Sequence, residues 1–307
     1  MKALMCVPNI SEGLDLAVVE KVVDHIRNAP GVVLLDYSSD ADHNRSVISY
    51  IGGPEAVVKA TEKLVRTAVE LIDMSKHKGS HPRQGAVDVV PFIPVRGISE
   101  QESVDIAHEF GEWIGRELEV PVYFYEDAAT RPERVSLPKV RQGQYEALEE
   151  KLKDPFYAPD RGPCRFVPQT GSIQVCSRFP LVALNINLAS ADLDLAVRIA
   201  KSVRHINGGF RYVRGMGLAL EEEGRVQVSM NLINYEKTPI PMVMEAVKRE
   251  AARYGVNVVK SELVGPVPLG ALVQVMKYYL QAHDFSVNQV LENALMGWSG
   301  DQTDLSG

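Results

Sequence analysis

Cysteine is scarce in this chain. Its 307 residues contain three, Cys6, Cys164 and Cys176. The number is odd and no C-x-x-C pair occurs, which argues against a disulfide framework or a cysteine-built zinc site and for reduced thiols in the cytoplasm. A basic excess is also missing: 33 Lys and Arg stand against 40 Asp and Glu, a net charge of −7. Nucleic-acid binding needs a basic surface, so the charge argues against that class. No uninterrupted apolar run approaches the roughly 20 residues of a membrane span. The opening run from Met1 to Val7 is broken by Pro8 and Asn9 and is too short for a signal peptide. Neither a G-x-x-x-x-G-K-[ST] loop nor a convincing G-x-G-x-x-G fingerprint is present, and Gly215-x-Gly217 is too short to count, which argues against ATP and NAD. No H-E-x-x-H or H-x-H pattern places two metal ligands on one element, so no metal is expected.

What is present is an ordinary globular composition, 45% hydrophobic and 24% charged, with ample length for one large or two medium domains. Strand-like runs alternate with helical ones. Lys2 to Pro8 reads as a strand, and Asp15 to Asn28 as a helix with Val18, Val19, Val22, Val23 and Ile26 on one face. Val32 to Tyr37 and Arg45 to Ile51 read as strands, Pro54 opens a helix to about Ile72, and Val87 to Val95 is a further strand. The order β-α-β-β-α-β then recurs. Its members are a strand at Leu181 to Leu188, a helix at Asp192 to Ile206, strands at Tyr212 to Leu220 and Arg225 to Leu232 around a turn at Glu221 to Gly224, a helix at Pro239 to Tyr254, and a strand at Val256 to Val264. This is the split βαβ, or ferredoxin-like, order. The expected organisation is therefore α+β, with halves at 1–180 and 181–296 and a polar tail at 297–307. Between the repeats lie a helix near Ser99 to Leu118, a strand near Val122 to Tyr125, and a proline-rich irregular stretch from about Asp154 to Gly171.

The most informative run is His77-Lys78-Gly79-Ser80-His81-Pro82-Arg83, followed by the apolar strand. His81 lies in a Gly-Ser-Pro turn just upstream of a buried strand, where packing can fix its ring. Histidine is the side chain suited to proton transfer near neutrality. His77, beside lysines, reads as an exposed histidine. Asn9 or Ser11 caps the first helix, or Asn9 and nearby N–H groups bind a carboxylate at its start. The polar run Ser38 to Arg45, with Asp40, Asp42 and His43, is either a solvated hairpin loop or part of a site. The run Gly162 to Gly171 is either a linker or a wall for a flat anionic ligand. Arg198, Lys201, Arg204, His205, Arg211 and Arg214 are either a solvated face or a carboxylate pocket.

Together these runs resemble the formiminotransferase domain of the histidine-degradation enzyme. The likeness is carried by Cys6-Val7-Pro8-Asn9, Asn44-Arg45, His77-Lys78-Gly79 and His81-Pro82-Arg83, Asp88, Pro91-Phe92-Ile93-Pro94-Val95-Arg96-Gly97, Phe166-Val167-Pro168, Asn185-Ile186-Asn187-Leu188 and Leu263-Val264-Gly265, and it covers the chain to about residue 285. No cyclodeaminase domain is seen, as in a stand-alone transferase. The resemblance implies two ferredoxin-like subdomains whose sheets face a central ligand cleft, paired as a homodimer. It implies formimino transfer between N-formimino-L-glutamate and tetrahydrofolate, a co-substrate, with His81 as general base. It also implies folate contacts along Gly162, Pro163, Cys164, Arg165, Phe166, Val167, Pro168, Gln169, Thr170 and Gly171. Ser38 stands where the family has an aspartate, and Asp40 or Asp42 is the candidate substitute. Both substrates carry carboxylates, so Arg45 and Arg83 are candidate clamps, with Asn9, Asp42 and Asn44 as further substrate-binding candidates. A glutamate formyltransferase using 5-formyltetrahydrofolate is the nearest competing activity. A non-catalytic folate-binding protein and a metal-dependent hydrolase are the others.

Overall fold

The computed structural model describes residues 2–220 and 223–291. It divides into two compact units, Met1–Phe179 and Pro180–Gly307. The first contains β1 (Ala3–Cys6), β2 (Asn9–Ile10), α1 (Leu16–Arg27), β3 (Val32–Asp40), β4 (Arg45–Gly52), α2 (Pro54–Leu71), β5 (Val87–Arg96), α3 (Glu100–Trp113), β6 (Val122–Glu126), the short helices α4 (Leu137–Val140) and α5 (Leu148–Lys151), and β7 (Ile173–Ser177). The second contains β8 (Val182–Leu188), α6 (Leu193–Val203), β9 (Val213–Leu220), β10 (Arg225–Leu232), α7 (Ile240–Ala252), β11 (Val258–Val264) and α8 (Leu269–Tyr279). The chain is thus α+β with two separate sheets.

Helix boundaries follow local chemistry. Asp15 caps α1 by accepting from the Ala17 and Val18 N–H groups. Pro54 opens α2 at a position whose N–H would be unpaired in any case. Ser99 and Glu102 form a reciprocal capping box on α3. Val19, Val22, Val23 and Ile26 of α1 and Val57, Ala60, Leu64, Val65 and Ala68 of α2 enter one core with Ile48 and Tyr50 of β4 and Val87, Val90 and Phe92 of β5. Burying each large side chain contributes about 1.5–3 kcal/mol before entropy is counted.

Several elements depart from the sequence reading. The first strand is broken at Val7-Pro8 and resumes as β2, because proline has no N–H to donate to the ladder. Strand β3 continues to Asp40, so Ser38 to Asp40 are ladder residues and the loop shrinks to four residues, Ala41 to Asn44. Strand β7 and helix α8 are additional. Fully buried β7 lies between β5 and β6, parallel to both. With the first strand split in two and β7 added to the five strands expected in this half, the first sheet has seven strands. In the second unit the order is β11-β8-β10-β9, all antiparallel, with α6 and α7 as the connecting helices. Glu221 and Glu222 of the expected turn, and the tail at 297–307, lie outside the described residues.

Candidate active site

The run from Lys78 to Asp88 is fastened at nearly every step. Asn44, held at a positive φ of 45°, accepts from the Gly13 N–H at 2.9 Å and donates to the Lys78 carbonyl at 2.9 Å. The Ser80 N–H donates to the Asp42 carbonyl. Arg141 donates to the Pro82 carbonyl, the Tyr145 N–H to the Arg83 carbonyl, and the Gln84 N–H to Asp88 Oδ1. His81 is half-buried between these anchors, in a tightly filled crevice lined by Ser11, His43, Asn44, Arg45, His77, His81, Arg83 and Asp88.

The two histidines of the run occupy opposite situations. His77 is half-buried, not exposed as its sequence setting suggested. Its Nε2–H donates to the Asn44 carbonyl at 2.9 Å, and its Nδ1 accepts from Arg83 Nε at 3.2 Å. Both nitrogens are committed, and its lone pair is taken by a group that is always protonated. His81 Nε2 lies 2.6 Å from Arg45 Nη1. A guanidinium can only donate, so Nε2 accepts and the neutral ring carries its proton on Nδ1. That nitrogen is buried near the Pro82 carbonyl without a well-formed hydrogen bond. Burial, together with Arg45, Arg141 and His43, pushes the His81 imidazole down to about 3. The ring is therefore neutral at any physiological pH.

Three arginines surround this ring, and two have anionic partners. Arg83, 7% exposed, forms a two-pronged pair with Glu146, Nη2–Oε1 at 2.7 Å and Nη1–Oε2 at 3.0 Å. This commits a side chain expected from sequence to be a free carboxylate clamp. Arg141 pairs with Asp88, which is 1% exposed. Arg45 makes no ion pair among the described residues, and its buried Nε has no hydrogen-bond partner. Sequence reading did not single out Arg141 or Glu146. The usable signal was Asp88 itself: a carboxylate inside Val87-Asp88-Val89-Val90 requires a cation from elsewhere in the fold.

The remaining candidates are placed as follows. Asn9 sits half-buried in β2, opposite Val47 and Val89, and not at a helix start. The N–H groups of Gly13, Leu14 and Asp15 do hold a carboxylate, but it is the protein's own Glu12. Ser11 donates to the Gly85 carbonyl instead of capping α1. Asp40 is paired with His43 at 2.8 Å and accepts the His43 N–H, and the exposed Asp42 contributes its backbone carbonyl to Ser80. In the second unit Arg204 bridges Asn207 and the Gly215 carbonyl, and Arg198 lies over the Tyr254 ring.

The Gly162–Gly171 segment is bolted to the turn between His81 and β5. The Ala86 N–H donates to the Thr170 carbonyl and the Ser172 N–H to the Gln84 carbonyl. Tyr145 donates to the Pro168 carbonyl at 2.6 Å and packs against Phe166. Two of its glycines are required by close backbone packing. A Cβ at Gly162 would meet the Val120 carbonyl at 2.3 Å, and one at Gly171 the Gln84 carbonyl at 2.0 Å, both at positive φ. Cys164, Arg165, Pro168 and Gln169 remain exposed, with Arg165 pairing Glu119 at 3.3 Å. Among the described residues no group of three or more His, Cys, Asp or Glu is placed to hold a metal ion, and no helix is long and apolar enough to cross a membrane.

Comparison with known proteins bears on this geometry. The family model described as the formiminotransferase domain, N-terminal subdomain, matches residues 3–178, and the one described as the formiminotransferase domain matches residues 183–296. A glutamate formimidoyltransferase of Streptococcus pyogenes serotype M1 is 48% identical over 297 residues, 96% of this chain and 99% of that protein. One from Thermoplasma acidophilum is 41% identical over 96% of this chain and 98% of that protein. The formimidoyltransferase-cyclodeaminase of Mus musculus is 46% identical over 280 residues, which are 89% of this chain and 52% of that longer protein.

Proposed function

Because the chain belongs to the formiminotransferase family, we infer that it moves a formimino group between N-formimino-L-glutamate and tetrahydrofolate, with His81 as the proton-transfer residue. The observation that carries the assignment of the base is the neutral His81 imidazole held beside an unpaired arginine. In the direction of folate loading, N5 of tetrahydrofolate attacks the amidine carbon of N-formimino-L-glutamate. A carbon–nitrogen bond forms, and the N5 proton passes to the imidazole. The tetrahedral intermediate then expels the glutamate nitrogen, which takes that proton back from the imidazolium. The products are 5-formiminotetrahydrofolate and L-glutamate, and His81 ends neutral. A positioned base of this kind contributes about 100- to 10,000-fold. Holding both reactants in line adds a further large factor.

The exposed part of the Gly162–Gly171 segment lines the folate in this proposal. Its attachment to Gln84 and Ala86 supports that placement, since it ties the segment to the turn just after His81. The ferredoxin-like description of each unit, the ligand cleft and the homodimer belong to the same proposal, as do a cytoplasmic setting and the lack of a nucleic-acid or membrane partner. Incubating the protein with tetrahydrofolate and N-formimino-L-glutamate, and following folate absorbance, tests the reaction. A parallel assay with 5-formyltetrahydrofolate and L-glutamate separates formimino from formyl transfer. Turnover only in the second assay would overturn the formimino reading, and folate binding without turnover in either would leave a folate-binding protein.

A further inference from the structure

We propose that Arg45 is a substrate-operated restraint on His81: its guanidinium occupies the Nε2 lone pair until the α-carboxylate of the glutamate moiety draws it away, freeing that lone pair beside the nitrogen that must exchange a proton. The inference rests on the reading of His81 as the base.

The argument begins with lone pairs. A base works through a free lone pair, and His81 has none to offer in this arrangement. Nε2 accepts from Arg45 at 2.6 Å, and Nδ1 is buried and carries the ring proton. One of the two side chains must therefore move before proton transfer. His81 sits in a backbone run fastened on both sides, by Asn44 at Lys78 and by Arg141 at Pro82. Arg45 is the long, flexible partner, and its Nε has no hydrogen bond to lose.

The nearby anions cannot move it. Asp88 is held by Arg141, Glu146 by Arg83, and Asp40 by His43. Arg45 is thus a cation resting on a neutral ring, and a charge-assisted bond to an entering carboxylate is the stronger one. Such a carboxylate also brings the right nitrogen with it. In glutamate the α-carboxylate and the reacting nitrogen sit on the same carbon. A carboxylate gripped by Arg45 therefore delivers that nitrogen to the position next to His81 Nε2.

The electrostatics point the same way. His81 faces Arg45 and His43 from β4 and the turn before it, and Arg141 from the turn after α4. Asp88 from β5 is paired with Arg141, and Arg83 and His77 line the same crevice. Withdrawing Arg45 onto an anion removes one cation from the ring and raises its basicity towards the range where proton exchange near neutrality is efficient.

The test compares wild type with Arg45→Gln on two donors, N-formimino-L-glutamate and N-formimino-4-aminobutyrate. The second keeps the side-chain carboxylate and lacks only the α-carboxylate. Wild type should prefer the glutamate donor in kcat/KM by roughly 10- to 100-fold, the worth of one charged hydrogen bond, and Arg45→Gln should lose that preference. In parallel, NMR of ring-labelled histidine follows His81 against pH with and without saturating L-glutamate. In wild type, L-glutamate should shift the His81 titration upward. In Arg45→Gln the titration should already lie higher and should not respond to L-glutamate. An unchanged donor preference in Arg45→Gln overturns the proposal. So does a wild-type His81 titration blind to L-glutamate, a measurement that needs no variant to fold. Failure of the base assignment looks different: His81→Ala would keep its turnover while the Arg45-dependent donor preference persisted.

Discussion

Replacing each histidine of the His77–Arg83 run by alanine should damage a different property, and the sizes can be worked from the structure. His81→Ala removes one hydrogen bond, from the half-buried Arg45, and should cost about 1 kcal/mol of stability. It also removes the ring proposed to transfer the proton, so turnover should fall by about 100- to 10,000-fold, or roughly 3–5 kcal/mol of barrier. Folate affinity should stay within a few-fold, because the loss acts on the transition state. His77→Ala has the reverse profile. It leaves the Asn44 carbonyl and the Arg83 Nε–H without partners, on residues that are each 7% exposed. At about 1–3 kcal/mol per orphaned group, the loss is roughly 2–6 kcal/mol. For a unit of this size that lowers Tm by roughly 4–24 °C. Thermal melts and initial rates, taken well below both melting points, read the two effects separately. Near-normal turnover in His81→Ala, or turnover hit harder in His77→Ala than in His81→Ala, would refute the reasoning.

Further outcomes follow from the same contacts. Because burial and neighbouring cations hold the ring down to about 3, the His81 limb of the kcat/KM profile should lie near pH 3, and a limb near 6.5 after correction for substrate ionisation would contradict the geometry. The unfolded ring takes a proton below about 6.5 while the folded one does not, so stability should be full above that pH and decline as pH falls towards 3. His81→Gln should flatten that decline in urea titrations run at several pH values, and an unchanged slope would count against it. Gly171→Ala forces a Cβ onto the Gln84 carbonyl at a φ of +68°, so it should lower stability by roughly 1–3 kcal/mol and loosen amide protection at Gln84 to Ala86; an undisturbed melt would show that the segment is not bolted there. Folate should raise hydrogen-exchange protection across Gly162–Gly171, and protection appearing only elsewhere would move the folate site.

What the sequence alone determined is local. The apolar spacing of Val19, Val22, Val23 and Ile26, the Asp15 cap and the proline opening α2 specify their elements through neighbours a few residues away. The H-K-G-x-H-P-R run, the apolar strand after it and the other short runs from Cys6 to Gly265 were together enough to identify the family, since each of those motifs is contiguous. Strand β7 was missed because Gln174 and Ser177 interrupt its apolar run, and both are buried only once β5 and β6 flank it. The fate of each ring nitrogen was equally out of reach. His77 and His81 lie in one run, yet Arg83 and the Asn44 carbonyl close off the first, while Arg45, 36 residues away, holds the second. Glu146, 63 residues from Arg83, and Arg141, 53 from Asp88, decide which arginine is left with no anion among the described residues. Hydrogen-bond partnership and charge pairing depend on distances of a few ångströms, and residue spacing does not encode those distances until the chain has packed.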